Sequence, residues 1–162
     1  MKIDVNGRVK NMSLSSSRPL LPLYEGIINS VQAIEDANMA QGTIRIEVIR
    51  ETDHLLKDTT PELGDIVGFA VTDNGIGFDD ANYAAFETAD TTYKANRGGK
   101  GIGRFLWLVA FEKVTVISVF RQDGQWKRRS FEFSQEGEGV SNMRLSDAKE
   151  QKQVELMLTR FQ

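Results

Sequence analysis

The sequence predicts an α+β domain built as one pair of layers, and three observations lead there. The chain has 162 residues, 40% hydrophobic and 27% charged, the size and balance of one ordinary domain with a core of its own. Segments with helical periodicity and segments that alternate like strands are interleaved, with no internal repeat and no linker to divide them, so residues 1–162 read as a single domain. An Asp123-Gly124 turn joins two alternating stretches, which argues against a purely parallel sheet.

Residues 1–20 open with a short alternating stretch and a Ser-rich turn, expected to be an arm or short strand leading into the first helix. That helix is predicted from Pro22 to about Ala40, with Pro22 near its first turn, Gly42 just past its end, and Leu23, Ile27, Val31 and Ile34 as its apolar face. Thr43–Arg50 alternates as a strand, with Ile44, Ile46 and Val48 on one side. Residues 51–64 are polar and acidic, carry Pro61 and Gly64, and read as a loop; Asp65–Asp73 is a second strand. A short helix is expected around Asp79–Glu87, then a buried, mostly apolar helix over Gly103–Glu112. Val114–Arg121 and Trp126–Ser134 are strands of a hairpin, Gln135–Asn142 is a loop, and Val154–Thr159 is one more strand.

Composition removes several chemistries. The chain has no cysteine, which excludes disulfides, zinc–thiolate sites, iron–sulfur clusters and a cysteine nucleophile. A single histidine, His54, excludes His-cluster metal sites, and no Gly-x-Ser-x-Gly surrounds a serine. A net charge of −3 is poor for a dedicated nucleic-acid binder, although Arg121, Lys127, Arg128 and Arg129 leave a basic hairpin to consider. Arg128 points opposite to Lys127 and Arg129, a scatter that fits a solvated sheet edge better than a binding stripe. No apolar run approaches a membrane span and no signal-peptide core opens the chain, so a cytoplasmic protein without a membrane partner is expected.

Three segments carry what chemistry remains. Glu25, Asn29, Gln32 and Asp36 are spaced 4, 3 and 4 apart, which at about 3.6 residues per turn places them in one helical sector. This is what a solvated polar face looks like, and equally a carboxylate and a carboxamide one turn apart, able to hold a water and a cation. Asp73-Asn74-Gly75-Ile76-Gly77-Phe78 ends a strand on which Val67, Phe69, Val71 and Asp73 share a face. If that face meets the core, the Asp73 carboxylate is buried and needs donors, which a ligand amino group can supply; otherwise the segment is an Asp-Asn-Gly turn. Arg97 to Phe105 holds four glycines immediately before a helix, where backbone N–H groups favour phosphate. It is neither a Walker loop, because Gly101 follows Lys100, nor a Rossmann turn, because no strand leads directly into it.

In this order, a helix with Glu-x-x-x-Asn-Ser, a strand ending in Asp-x-Gly-x-Gly and a glycine cluster opening a helix resemble the GHKL ATPase superfamily, over about residues 20–134. That group includes gyrase, the large heat-shock chaperone, histidine kinases and MutL. The resemblance implies a two-layer α/β sandwich, the Bergerat fold, with helices on one face of a mixed, mostly antiparallel sheet. It implies magnesium-dependent ATP binding and slow hydrolysis, with the nucleotide state driving conformational change in a larger protein of which this chain is the N-terminal part. Its partners would be ATP or ADP and the downstream domains of its own chain.

By the same resemblance Glu25 is the general base and Asn29 the magnesium ligand; Asp73 reads adenine, with Gly75 and Gly77 beside base and sugar. Gly99, Lys100, Gly101, Ile102 and Gly103 would hold the triphosphate. Asp79 to Arg97 would be a mobile lid whose Thr88, Thr91, Thr92 and Lys94 join the phosphates. Two departures stand out. Gln32 occupies a place where relatives often have aspartate, and the family's late Gly-Thr is missing, with Thr159 as the candidate substitute. A histidine- or protein-kinase domain of the same fold is the enzymatic alternative, against which Glu25 argues, because kinase members commonly have an amide there. A nucleotide-sensing module without turnover is the other.

Overall fold

The computed structural model describes residues 5–51, 64–88, 103–137, 139–149 and 154–161. Helices α1 (Val5–Lys10) and α2 (Leu21–Asp36) precede strands β1 (Ile44–Arg50) and β2 (Ile66–Asp73). Helices α3 (Asp80–Glu87) and α4 (Gly103–Ala110) follow, then β3 (Phe111–Gln122), β4 (Gln125–Ser134), β5 (Val140–Asp147) and β6 (Val154–Phe161).

The hairpin turn organises one half of the sheet. Gln122 lies opposite Gln125, leaving a two-residue loop, and Asp123 (φ 50°) and Gly124 (φ 80°) both take the left-handed conformation such a turn requires. The six strands run in the order β1-β2-β6-β3-β4-β5. All their pairings are antiparallel, so the mixed sheet expected from sequence is corrected to a wholly antiparallel one among the described strands. β6 enters the middle, where Leu156 lies opposite both Val71 and Val116, and Leu158 opposite both Phe69 and Val114.

One face of this sheet is the core. Val114, Val116, Ser118 and Phe120 alternate inward on β3, as do Phe131 and Phe133 on β4. The described helices cover that face, so the α+β class and the pair of layers are as expected. Gly26 of α2 rests on Leu156 and Val71, where any side chain would crowd Leu156. Phe86 of α3 packs on Phe131 and Phe133, Phe105 of α4 lies beside Phe133, and Val5 of α1 meets Gly139 at the far corner.

Five local expectations are corrected. Residues 5–10 are a helix, its Val5 and Val9 buried, rather than an arm or strand. α2 stops at Asp36, soon followed by Asn38 at a positive φ of 49°. α4 stops at Ala110, and the chain runs directly into β3 at Phe111, so the apolar run 103–112 is split between helix and strand. The loop expected over Gln135–Asn142 gives way at Val140 to β5, which pairs with β4 along the edge. Finally, α2 buries Pro22, Leu23, Gly26 and Ser30, and turns Val31 outward.

Candidate functional site

The polar stripe of α2 is not a solvated face. Glu25, Asn29, Gln32 and Asp36 are all half-buried, whereas the exposed side of the helix carries Tyr24, Ile28 and Val31. The polar stripe flanks the buried side of the helix, where Leu23, Gly26 and Ser30 meet the core, and its Glu25 adjoins α4. Glu25 reaches the start of α4: a methyl built on Gly103 would fall on the Glu25 carboxylate. The last glycine of the Arg97–Phe105 cluster therefore leaves room for the Glu25 side chain, which brings a carboxylate to a helix N-terminus.

One turn further on, Ser30 points into the sheet. Asp73 ends β2 with only 5% of its surface exposed, the inward parity expected from Phe69 and Val71. Its carboxylate accepts hydrogen bonds from the Gly75 N–H at 2.8 Å and from the Ser30 hydroxyl. Burial pushes the Asp73 carboxyl above the usual aspartate range, against the opposing pull of those two donors. Ser30 thus supports Asp73, a role the sequence held in its Asn-Ser pair but did not reveal.

The two glycines after Asp73 have packing reasons to be glycine. Gly75 lies on α2, where a Cβ would stand 2.6 Å from the Ala33 carbonyl carbon, and the next N–H, that of Ile76, donates to the Ala33 carbonyl at 2.9 Å. Gly77 has φ +83°, and a Cβ there would approach Ser118 Oγ to 2.7 Å. That hydroxyl instead accepts from the Phe78 N–H at 2.8 Å. Asn74 completes the turn by accepting from the Thr43 N–H at 2.8 Å, which ties the start of β1 to the end of β2.

The segment assigned to a lid begins with helix α3. Asp79 caps α3 by accepting from the Asn82 N–H at 2.8 Å. Arg129, only 3% exposed, donates through Nη1 to the carbonyls of Phe78 and Asp79 at 2.6 and 2.7 Å, and through Nη2 to Asp80. Its guanidinium lies between the rings of Tyr83 and Phe120. Residues 79–87 thus open this segment as a capped, clamped helix, and the Thr88 hydroxyl closes the helix by donating to Ala84. The basic hairpin loses Arg129 to this clamp, while Lys127 pairs with Asp147 at 2.6 Å. The sharing of a face by Arg129, Phe131 and Phe133 was the one sequence signal of that inward position.

Thr159, the candidate substitute for the missing Gly-Thr, lies on β6. Val154 is the residue of β6 opposite Asp73, whereas Thr159 lies opposite Gly68, about 17 Å further along the strands. Thr91, Thr92, Lys94, Arg97, Gly99, Lys100, Gly101 and Ile102 lie outside the described residues.

Among the described residues no three His, Cys, Asp or Glu side chains form a metal-binding group. The donor set still suits magnesium, a hard ion that keeps waters and substrate oxygens and accepts a single protein amide oxygen such as that of Asn29. No described helix is long and apolar enough to cross a membrane. Glu25, Asn29, Asp73, Gly75 and Gly103 are thus gathered along one side of a single helix, from three distant stretches of sequence. Compared with protein-family models and with curated proteins, the chain matches none.

Proposed function

We propose that this chain is an ATP-binding domain of the GHKL kind, which hydrolyses ATP slowly with magnesium and passes its nucleotide state to the rest of a larger protein. One observation carries the proposal: α2 holds Glu25 against Gly103 at the start of α4, and Ser30 against Asp73 at the end of β2. A helix start suited to phosphate and a buried acceptor suited to an amino group thereby share one wall. Asp73 accepts from the adenine amino group, with Ser30 and Gly75 keeping its carboxylate oriented. Glu25 takes the proton of the water that attacks the terminal phosphate. The Asn29 amide oxygen holds the magnesium ion, which when bound neutralises phosphate charge.

Calorimetry with ATP and magnesium, paired with phosphate release, tests this. Asp73→Asn is expected to weaken ATP binding at least about tenfold, because its amide offers the adenine amino group the wrong hydrogen-bond partner. Glu25→Ala should keep affinity within a few-fold and lower turnover by about 10²-fold or more. Equal affinity in Asp73→Asn removes adenine recognition from this residue, and wild-type turnover in Glu25→Ala removes the base. A module that binds without turnover is the second reading. It is favoured by the seat of Glu25 on α4, where a carboxylate stabilises the helix start whatever the chemistry.

A further inference from the structure

The outward face of α2 is as unusual as its inward one. Leu20, Tyr24, Ile28 and Val31 follow one another at helical spacing along it, each between 42% and 56% exposed. Beside them, Ile46 and Val48 of β1 lie on the helix-covered face of the sheet, paired with buried Val71 and Phe69, yet remain 44% and 49% exposed. Six large apolar side chains so exposed on one side of a domain are the kind of surface that marks interaction sites on soluble proteins.

We propose that this face binds a second copy of the chain in an isologous dimer, with the two α2 helices crossing antiparallel near Ile28. The charges choose this occupant. Arg18 is exposed in the turn before the stripe, and Glu35 is exposed on its last turn, four residues beyond Val31. A two-fold axis beside Ile28 sets Tyr24 against the second copy's Val31, and the Arg18 end of each stripe against the Glu35 end of the other. A parallel arrangement would set like charges together. Six side chains on each copy make a small interface, so a dimer of modest affinity is expected. Its contacts do not involve the nucleotide, so it stands or falls apart from the ATP reading.

Sedimentation velocity of the full chain without nucleotide, over a concentration series, is the test. A monomer–dimer equilibrium is expected, with Ile28→Glu raising the dissociation constant by about tenfold or more while circular dichroism is unchanged. Arg18→Glu and Glu35→Arg should each weaken the dimer about two- to fivefold, and the double exchange should restore it. Because the chain has no cysteine, Ile28→Cys can link only to another copy; oxidation should give a covalent dimer, whereas Glu47→Cys on the opposite face should not. A monomer at every concentration overturns the proposal. So does association indifferent to Ile28→Glu or to the charge exchange, or equal cross-linking through Glu47→Cys.

Discussion

If Asp73 reads adenine as proposed, it sets stability against function at a single carboxyl. Its pKa is raised in the folded chain by burial, with Ser30 and Gly75 opposing. A carboxyl raised above its unfolded value binds its proton more readily when folded, so its stabilising share is full below the unfolded value and fades as pH climbs through the folded one. Ionised Asp73 is therefore a cost at neutral pH. Asp73→Asn, which can accept from Gly75 and meet Ser30, should melt no lower than wild type at pH 7. It should also flatten the pH dependence of melting just above the ordinary aspartate range, even as nucleotide binding falls. Melting curves across pH would show this, and an unchanged slope would mean Asp73 titrates as if in water. Gly103→Ala separates the same two quantities at the other end of the site. Its new methyl meets only the flexible tip of Glu25, so stability should change by less than about 1 kcal/mol while the carboxylate moves and turnover falls.

Among the elements, α3 depends on a side chain from the far hairpin. Arg129 holds the carbonyls of Phe78 and Asp79 and the Asp80 carboxylate, and it fills the space between Tyr83 and Phe120. Arg129→Leu should cost about 2–4 kcal/mol, since two half-buried carbonyls and the Asp80 carboxylate lose their donor. Amide exchange should rise first across residues 78–88, and uniform exchange would show that the clamp is not what fixes α3. How far each element could be foreseen follows from what holds it. β3 and β4 alternate because one face of each is buried, and on β2, buried on both faces from Gly68 to Val71, the shared parity of Phe69, Val71 and Asp73 was still legible. β5 reads Val-Ser-Asn-Met-Arg-Leu-Ser-Asp and is exposed along nearly its whole length; pairing with β4 makes it a strand, and no pattern of its own announces that. The change from α4 to β3 at Phe111 lacks any Gly or Pro between two apolar runs, so periodicity alone could not find it. The site was legible as three segments, whereas their meeting through Ser30, Ala33 and Gly103 depends on how α2 lies across the sheet.

For the molecule as a whole, strand order makes the last strand central. β6 joins the β1-β2 pair to the β3-β4-β5 meander, with Leu156 and Leu158 facing neighbours on both sides. A chain ending at Gln153 should therefore lose cooperative unfolding altogether, rather than a few kcal/mol, because both halves would expose an unpaired edge over a divided core. A sigmoidal thermal transition in that truncation would show that the halves pack without it. The same arrangement bears on how the protein is made. While it is being synthesised, everything through β5 leaves the ribosome before the strand that closes the sheet. The nascent chain thus presents two sticky edges, on β2 and β3, for as long as translation of this stretch lasts. Slow delivery of β6 would lengthen that exposure, so the fate of the newborn chain hinges on how quickly Val154–Phe161 follows β5 out of the ribosome.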